Sequence, residues 1–330
     1  MTDEAYIVPV YGDYPSVERV ITGLYSFDRA MMNQGKLGMP LRAMYEIYGN
    51  PGVGKTTFAY FLSGCIRPTG TILIAPIESL DKEYISRSVG ASGFIGEVRL
   101  VDVVDEKGKM RDHEDQLDDL AAAILDNTTN ATVLDSIGAI IPKAEKEGDI
   151  GEAFVGQRAR VVAKYARKTS YWLPQSDMPK CAFVCNHVHG IIGGRGHASA
   201  GGDTLKYLSR TRIYLWSEKI TSGDEIIGYH IHGKTEKHTY GGQGKSFNLV
   251  NILGYGISRE LTAVFDCVDL GVAERKATVK YNDPHTGETK SVGYLSKLFD
   301  AAREGRPTLF EPFFDLIERN ANENKMAQGK

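Results

Sequence analysis

The sequence predicts an α/β fold around a central, mostly parallel sheet, and three observations predict it. Apolar β-type runs alternate with helical patterns along most of the chain, which is the order of a parallel α/β architecture. One run, Ala43 to Tyr48, breaks into GNPGVGKTT and restarts as a helix. Another, Ala131 to Leu134, ends on Asp135; ligands of open α/β sheets gather at such carboxyl ends.

The elements follow in order. Tyr6 to Val10 reads as a short strand in an N-terminal arm. After the glycine-rich stretch, Phe58, Leu62 and Ile66 recur at helical spacing. Strands are expected at Thr71 to Ala75, Ala131 to Leu134 and Ala182 to Asn186, with a long helix over about Phe154 to Leu173. Near Gly254 to Ile257 the pattern changes to shorter elements, closing with a helix near Pro312 to Asn320. The polar tail RNANENKMAQGK is expected to lack order. This divides the chain into an arm (1–35), a core (36–256) and a small α+β C-terminal domain with its tail (257–330).

Composition narrows the class. With 330 residues, 42% hydrophobic and 25% charged, the chain is an ordinary globular composition able to bury a sizeable core. No apolar run approaches the roughly 18 residues of a membrane span, and MTDEAYIVPVYGDY lacks a basic-then-apolar signal layout. The expectation is a cytoplasmic protein without membrane contact. Cys65, Cys181, Cys185 and Cys267 are too few for a disulfide framework and read as small buried hydrophobes. The net charge of −3 is unevenly placed: residues 102 to 126 are acidic, whereas Val155 to Arg212 carries ten Lys/Arg against Asp177 and Asp203. Such a basic segment is either a footprint for phosphates or a solvated face.

The loop Gly49, Asn50, Pro51, Gly52, Val53, Gly54, Lys55, Thr56, Thr57 fits GxxxxGK[ST]. Its glycines let backbone N–H groups wrap phosphate oxygens, Lys55 reaches the outer phosphates, and the Thr56 hydroxyl takes a Mg²⁺ position. The helix that follows points its positive end at the anion. Asp135 is the second nucleotide element, able to orient Mg²⁺ through a water. Cys181, Cys185, His187 and His189 suggest a metal by type, but on one extended strand they are strung out too far to close a tetrahedral site.

These motifs carry a family resemblance. VLDSIGAIIPKAEKEGDIGEAFVGQRARVVAKYARK resembles the Walker B strand, first DNA-binding loop and following helix of the RecA recombinases. CAFVCNHVHGIIGGRGHASAGGDTLKYLSRTRIYLW is similar to their next strand, second DNA-binding loop and helix. ITGLYSFDRAM and GYGISRELTAVFDCVDLGV resemble the segments that lead into and out of the RecA-like core. Bacteriophage recombinases of this class are the nearest comparison, because His187 stands where bacterial RecA carries glutamine.

The resemblance implies a RecA-like P-loop ATPase core using ATP and Mg²⁺, with roles for particular residues. Glu78 matches the carboxylate that activates the attacking water, general-base work, with Glu83 as competitor because Pro76 is awkward in a central strand. Asn186 and His187 match the position that senses the γ-phosphate, and Asp81 and Tyr84 fall toward the nucleotide. In GKTEKHT, Lys237 and Lys234 match lysines that reach the ATP of the neighbouring protomer. Tyr6 to Val10 resembles the polymerisation strand.

The nucleic-acid surface has its own reading. Arg160, Lys164 and Arg167 fall on one helix face with Lys168 adjoining, a stripe able to track a backbone. GIIGGRGHASAGGD, with Gly193, Gly194 and Arg195, is a polar, glycine-rich loop whose N–H groups can approach phosphates. Gly201, Gly202 and Asp203 resemble the family's phosphate grip, with Asp203 where asparagine is usual, and Ile191 or Ile192 would wedge bases. The activity implied is ATP-dependent filament formation on single-stranded DNA, homologous pairing with duplex DNA and strand exchange, with single-strand-binding and loader proteins as partners. A ring-forming hexameric helicase of the same fold, or an ATP-switched DNA-binding accessory protein, are the alternatives.

Overall fold

The computed structural model describes residues 17–78, 81–149, 156–190, 197–199 and 201–328. A short antiparallel pair, β1 (Arg19–Val20) and β2 (Met39–Pro40), brackets α1 (Tyr25–Ala30). The core then runs β3 (Ala43–Gly49), α2 (Lys55–Cys65), β4 (Thr71–Pro76), α3 (Lys82–Gly90), β5 (Glu97–Leu100), α4 (His113–Ala122) and β6 (Thr129–Asp135). It continues through α5 (Lys143–Glu147), α6 (Gln157–Trp172), β7 (Cys181–Gly190), β8 (His197–Ser199) and α7 (Gly202–Leu208). Four strands follow: β9 (Thr211–Ser222), β10 (Glu225–His238), β11 (Ser246–Ile252) and β12 (Gly256–Ser258). The chain closes with α8 (Arg259–Asp269), the three-stranded sheet β13 (Ala273–Arg275), β14 (Thr278–Asn282) and β15 (Thr289–Tyr294), then α9 (Leu295–Arg303) and α10 (Glu311–Gln328).

The central sheet is ten-stranded, ordered β12-β11-β10-β9-β3-β7-β6-β4-β5, with β8 against β7. From β9 through β3, β7, β6 and β4 to β5 every pairing is parallel, and β9 to β12 are antiparallel. Strands covered on both faces read as continuous apolar runs, as ATVLD and CAFVC do. Within one such run Glu46 is fully buried.

Helices cover both faces. On one, Phe27, Phe58 and Phe247 meet edge-on or tilted at 5.1–5.9 Å and lock α1 and α2 onto β11; such aromatic pairs add about 0.5–1.5 kcal/mol each beyond their buried area. On the other, Leu117, Leu120, Val162 and Ala166 pack α4 and α6 against Met44, Leu134 and Val184. A third core joins Ile220, Ile227, Val250 and Ile252 at the far ends of β9 to β11 with α8, α9 and α10.

Two expectations are corrected or resolved. The last helix does not stop near Asn320 but continues to Gln328, because no glycine or proline interrupts the chain between Pro312 and Gly329 and the tail holds good helix formers such as Glu, Lys, Met and Ala. Pro76 does not disrupt its strand: β4 pairs with β5 only as far as Ile74, and Pro76 is its last residue, so no ladder donor is missing on that side.

Candidate functional site

The strand-loop-helix unit is built as the sequence dictates. Gly52 and Gly54 have φ of +75° and +90°, and a Cβ on Gly54 would lie 2.6 Å from Ile231 Cδ1, so the loop both needs left-handed backbone and packs directly on β10. Lys55 is buried at the start of α2, its Nζ donating to Asn50 O at 2.9 Å. Burial holds its pKa below the ordinary lysine value. The loop opens on a cavity of about 410 Å³ lined by Pro51 to Thr57, Glu78, Tyr84, His187 and the Leu253–Gly256 segment.

The metal-competent pair is in place. Thr56 Oγ1 donates to Asp135 Oδ1 at 3.0 Å, and Tyr60 Oη donates to Oδ2 at 3.2 Å. Burial raises the Asp135 pKa, against the pull of those two hydroxyls. An oxygen-only pair beside a phosphate loop fits Mg²⁺, a hard ion commonly held by one or two protein groups plus substrate phosphates.

Just beyond the ends of β4 and β6, and beside β7, Glu78 Oε2 accepts from Ser136 Oγ at 2.7 Å and lies 3.2 Å from His187 Nε2. The Ser136 bond, with His187 second, holds the Glu78 carboxyl below its ordinary pKa. Glu83 is not in this cluster; it is on the exposed outer face of α3, 3.6 Å from Arg87. Asp81 caps α3, its carboxylate accepting from Tyr84 N at 3.0 Å, while Tyr84 lines the cavity with its hydroxyl against Thr57.

A continuous hydrogen-bonded path leaves His187. Its backbone N–H donates to Asn186 Oδ1 at 2.8 Å, and Asn186 Nδ2 donates to Glu46 Oε1 at 2.8 Å. The other Glu46 oxygen receives Arg212 Nε at 2.5 Å, and Arg212 Nη2 reaches Ser199 Oγ at 3.0 Å. The path thus runs from the Glu78 cluster across β7, β3 and β9 to Ser199 of β8. Sequence reasoning did not select Glu46, Arg212, Ser136 or the Leu253–Gly256 wall. A charge in the middle of AMYEIYG was the signal for Glu46, since buried charge must be paired.

Lys237 Nζ donates to Lys206 O at 2.9 Å and Tyr207 O at 2.6 Å, capping the C-terminus of α7. Lys234 is exposed. Gly201 and Gly202, with φ of +88° and +76°, open α7; Asp203 is exposed and pairs with Lys206 at 3.0 Å. Gly193, Gly194, Arg195, Ile191, Ile192 and Tyr6 to Val10 lie outside the described residues.

On α6, Arg160, Lys164 and Arg167 are exposed on one face as expected. The stripe is not uniformly available, because the acidic and basic stretches of the sequence meet. Asp118 of α4 pairs with Lys164 at 3.3 Å and Lys168 at 2.6 Å, and Lys143 and Lys146 meet Asp112 and Asp115. Arg160 and Arg167 make no ion pair among the described residues. No helix among them is long and apolar enough to cross a membrane.

Comparison with known proteins agrees with this geometry. The family model of the RecA N-terminal domain matches residues 8–258. The chain is 28% identical over 280 residues to Protein RecA of Heliobacterium modesticaldum, covering 82% of this chain and 76% of that protein. It is 28% identical over 281 residues to Protein RecA of Tropheryma whipplei, covering 83% and 61%, and 28% identical over 269 residues to that of Allochromatium vinosum, covering 80% and 72%.

Proposed function

From the premise that this chain belongs to the RecA family, we propose that it is a DNA-dependent ATPase that assembles into helical filaments on single-stranded DNA and promotes homologous pairing and strand exchange. The observation that carries this reading is the unbroken path from Glu78 through His187, Asn186, Glu46 and Arg212 to Ser199. It supplies what a nucleotide-switched DNA binder needs: one bonded network touching both the phosphate pocket and the loop that would hold the strand. The His187 position favours the bacteriophage type within the family, and the proposed small C-terminal domain (257–330) begins inside β12, whose Ile257 still pairs with Asn251 of the central sheet.

Each residue has a definite task in this proposal. The loop from Gly49 to Thr57 binds the triphosphate, and Lys55 gives up its contact with Asn50 O to reach the outer phosphates. Thr56 and Asp135 would hold Mg²⁺, which when bound neutralises charge on the β- and γ-phosphates. Glu78, kept ionised by Ser136 and His187, orients water and takes its proton. His187 is placed to feel the γ-phosphate. Lys237, swung from α7, would complete a neighbour's site, as arginine fingers do elsewhere. Arg160 and Arg167, with the glycine-rich loop, meet the DNA backbone.

The test combines electron microscopy with turnover. Helical filaments on single-stranded DNA with a non-hydrolysable ATP analogue, lost in Lys55→Ala, are expected; closed rings would instead establish the helicase alternative. Glu78→Gln should bind ATP yet hydrolyse it about 10² slower or less still, as loss of a general base predicts, while Glu83→Gln should remain near wild type. The reverse pattern would move the base to Glu83.

A further inference from the structure

On the face of β9 and β10 turned away from the nucleotide, three side chains converge that no part of the ATPase reading uses. Glu218 is the direct cross-strand partner of His230, and His232 is two residues along the same strand face. One ligand atom from each of the three lies within 4.8 Å of the others, and among the described residues no other trio of His, Cys, Asp or Glu does so. His232 Nε2 is 3.9 Å from Glu218 Oε1, and the His230 and His232 rings are 4.0 Å apart between centroids.

We infer that Glu218, His230 and His232 form a binding site for a divalent transition-metal ion of the zinc class. Two imidazoles and one carboxylate are the donor set of borderline ions, whereas magnesium and calcium prefer all-oxygen sites. Bonds of about 2.0–2.2 Å place the ligands of a tetrahedral zinc about 3.3 Å apart. The 3.9 Å separation and the 4.8 Å limit therefore need only a modest inward turn, and Glu218, with 72% of its side chain exposed, is free to make it. Three protein ligands leave a position for water or an added ligand.

The surroundings are those of a prepared site. Asn248 Oδ1 is 3.1 Å from His230 Nε2, and Asn248 Nδ2 is bonded to Asp269 Oδ2 at 2.5 Å. Outer partners of this sort fix the orientation of a ligating imidazole. Trp216 stacks on His232 at 5.3 Å, and Phe265 of α8 meets His230 at 4.5 Å, so both rings are held between aromatic walls. Aromatic packing alone accounts for the flat rings; it does not account for a carboxylate placed opposite His230 on the same face. The strand alternates: Tyr229 and Ile231 line the nucleotide cavity, so an ion on the opposite face would stiffen the strand that floors it.

The test uses the full-length chain without an affinity tag. Zn²⁺ is titrated by competition against a chromophoric chelator in excess Mg²⁺, and Co²⁺ is followed by visible absorption and by quenching of tryptophan fluorescence through Trp216. One tight equivalent per chain is expected, with a tetrahedral Co²⁺ spectrum. Glu218→Gln, an exposed change that leaves folding intact, and Asn248→Ala should each weaken Zn²⁺ by about tenfold or more; His232→Ala should abolish the site. No stoichiometric Zn²⁺ in the wild type would overturn the proposal. So would equal affinity in Glu218→Gln and His232→Ala, or loss in Asp135→Asn alone, which would place the ion in the nucleotide centre.

Discussion

Substitution of Arg212 separates two roles that its geometry combines. Its Nε lies 2.5 Å from Glu46 Oε2 while Nη2 reaches Ser199 Oγ at 3.0 Å, and its plane covers the Tyr48 ring at 4.7 Å. Glu46 is fully buried. Arg212→Ala leaves that carboxylate with Asn186 alone, and stripping one partner from a buried ion pair costs about 3–5 kcal/mol, a large part of the 5–15 kcal/mol that holds a typical domain. The urea midpoint should fall accordingly. Arg212→Lys is the sharper probe. An ammonium is a point charge that can still neutralise Glu46 but cannot span the fork to Ser199. The lost bond, charged on one side, is worth about 1.5–3 kcal/mol, or about 10- to 150-fold in whatever equilibrium it biases. Nucleotide affinity should therefore stay near wild type while DNA stimulation of phosphate release drops by at least about tenfold. The assay is steady-state phosphate release with and without single-stranded DNA, beside a fluorescent-nucleotide titration. A wild-type stimulation ratio in Arg212→Lys would show that the path to Ser199 carries no coupling.

Three further outcomes are expected. A Cβ at position 138 would lie 2.8 Å from His187 Cδ2, so Gly138→Ala should turn the ring off Glu78 and Ser136; ATP-dependent DNA affinity measured by anisotropy should fall while nucleotide binding survives. Replacing Arg160 and Arg167 with alanine should lower the salt slope of single-strand binding by about 0.7 per lost phosphate contact, whereas Lys164→Ala should change it less because Asp118 already neutralises that lysine; equal slopes for all three would return α6 to a solvated face. Burial raises the Asp266 carboxyl from 3.8 to about 7, and among the described residues its buried Oδ1 has no hydrogen-bond partner. The bound proton therefore stabilises the fold fully below about pH 4 and that contribution is lost as pH rises through about 7, so Asp266→Asn should flatten this dependence and gain about 2 kcal/mol at pH 8, roughly half of the full linkage value, in denaturant unfolding. A parallel pH profile for the variant would refute that assignment.

What was legible in the sequence and what was not follow a physical line. The strand-loop-helix geometry could be read because it is local: GNPGVGKTT contains both its backbone freedom and its buried lysine, and the structure supplies only the neighbours. Asp135 was legible for the same reason, as the polar end of an apolar strand. At Asp81 the structure adds a local demand the motif did not show, the free N–H of Tyr84 at the start of α3, which its carboxylate accepts. The stripe on α6 was right in its face and incomplete in its availability, since pairing with Asp118 joins segments 46 and 50 residues apart that periodicity cannot bring together. The Glu46 path is the deepest case. Its members sit on β3, β7, β8 and β9, strands made neighbours by the sheet order alone, and no single window shows the connection between them. A charged residue inside an apolar run states that a partner exists without naming it. Only the parallel registers Tyr48↔Asn186 and Glu46↔Arg212 turn that demand into a connection, and that connection joins the Glu78 cluster to Ser199 of β8.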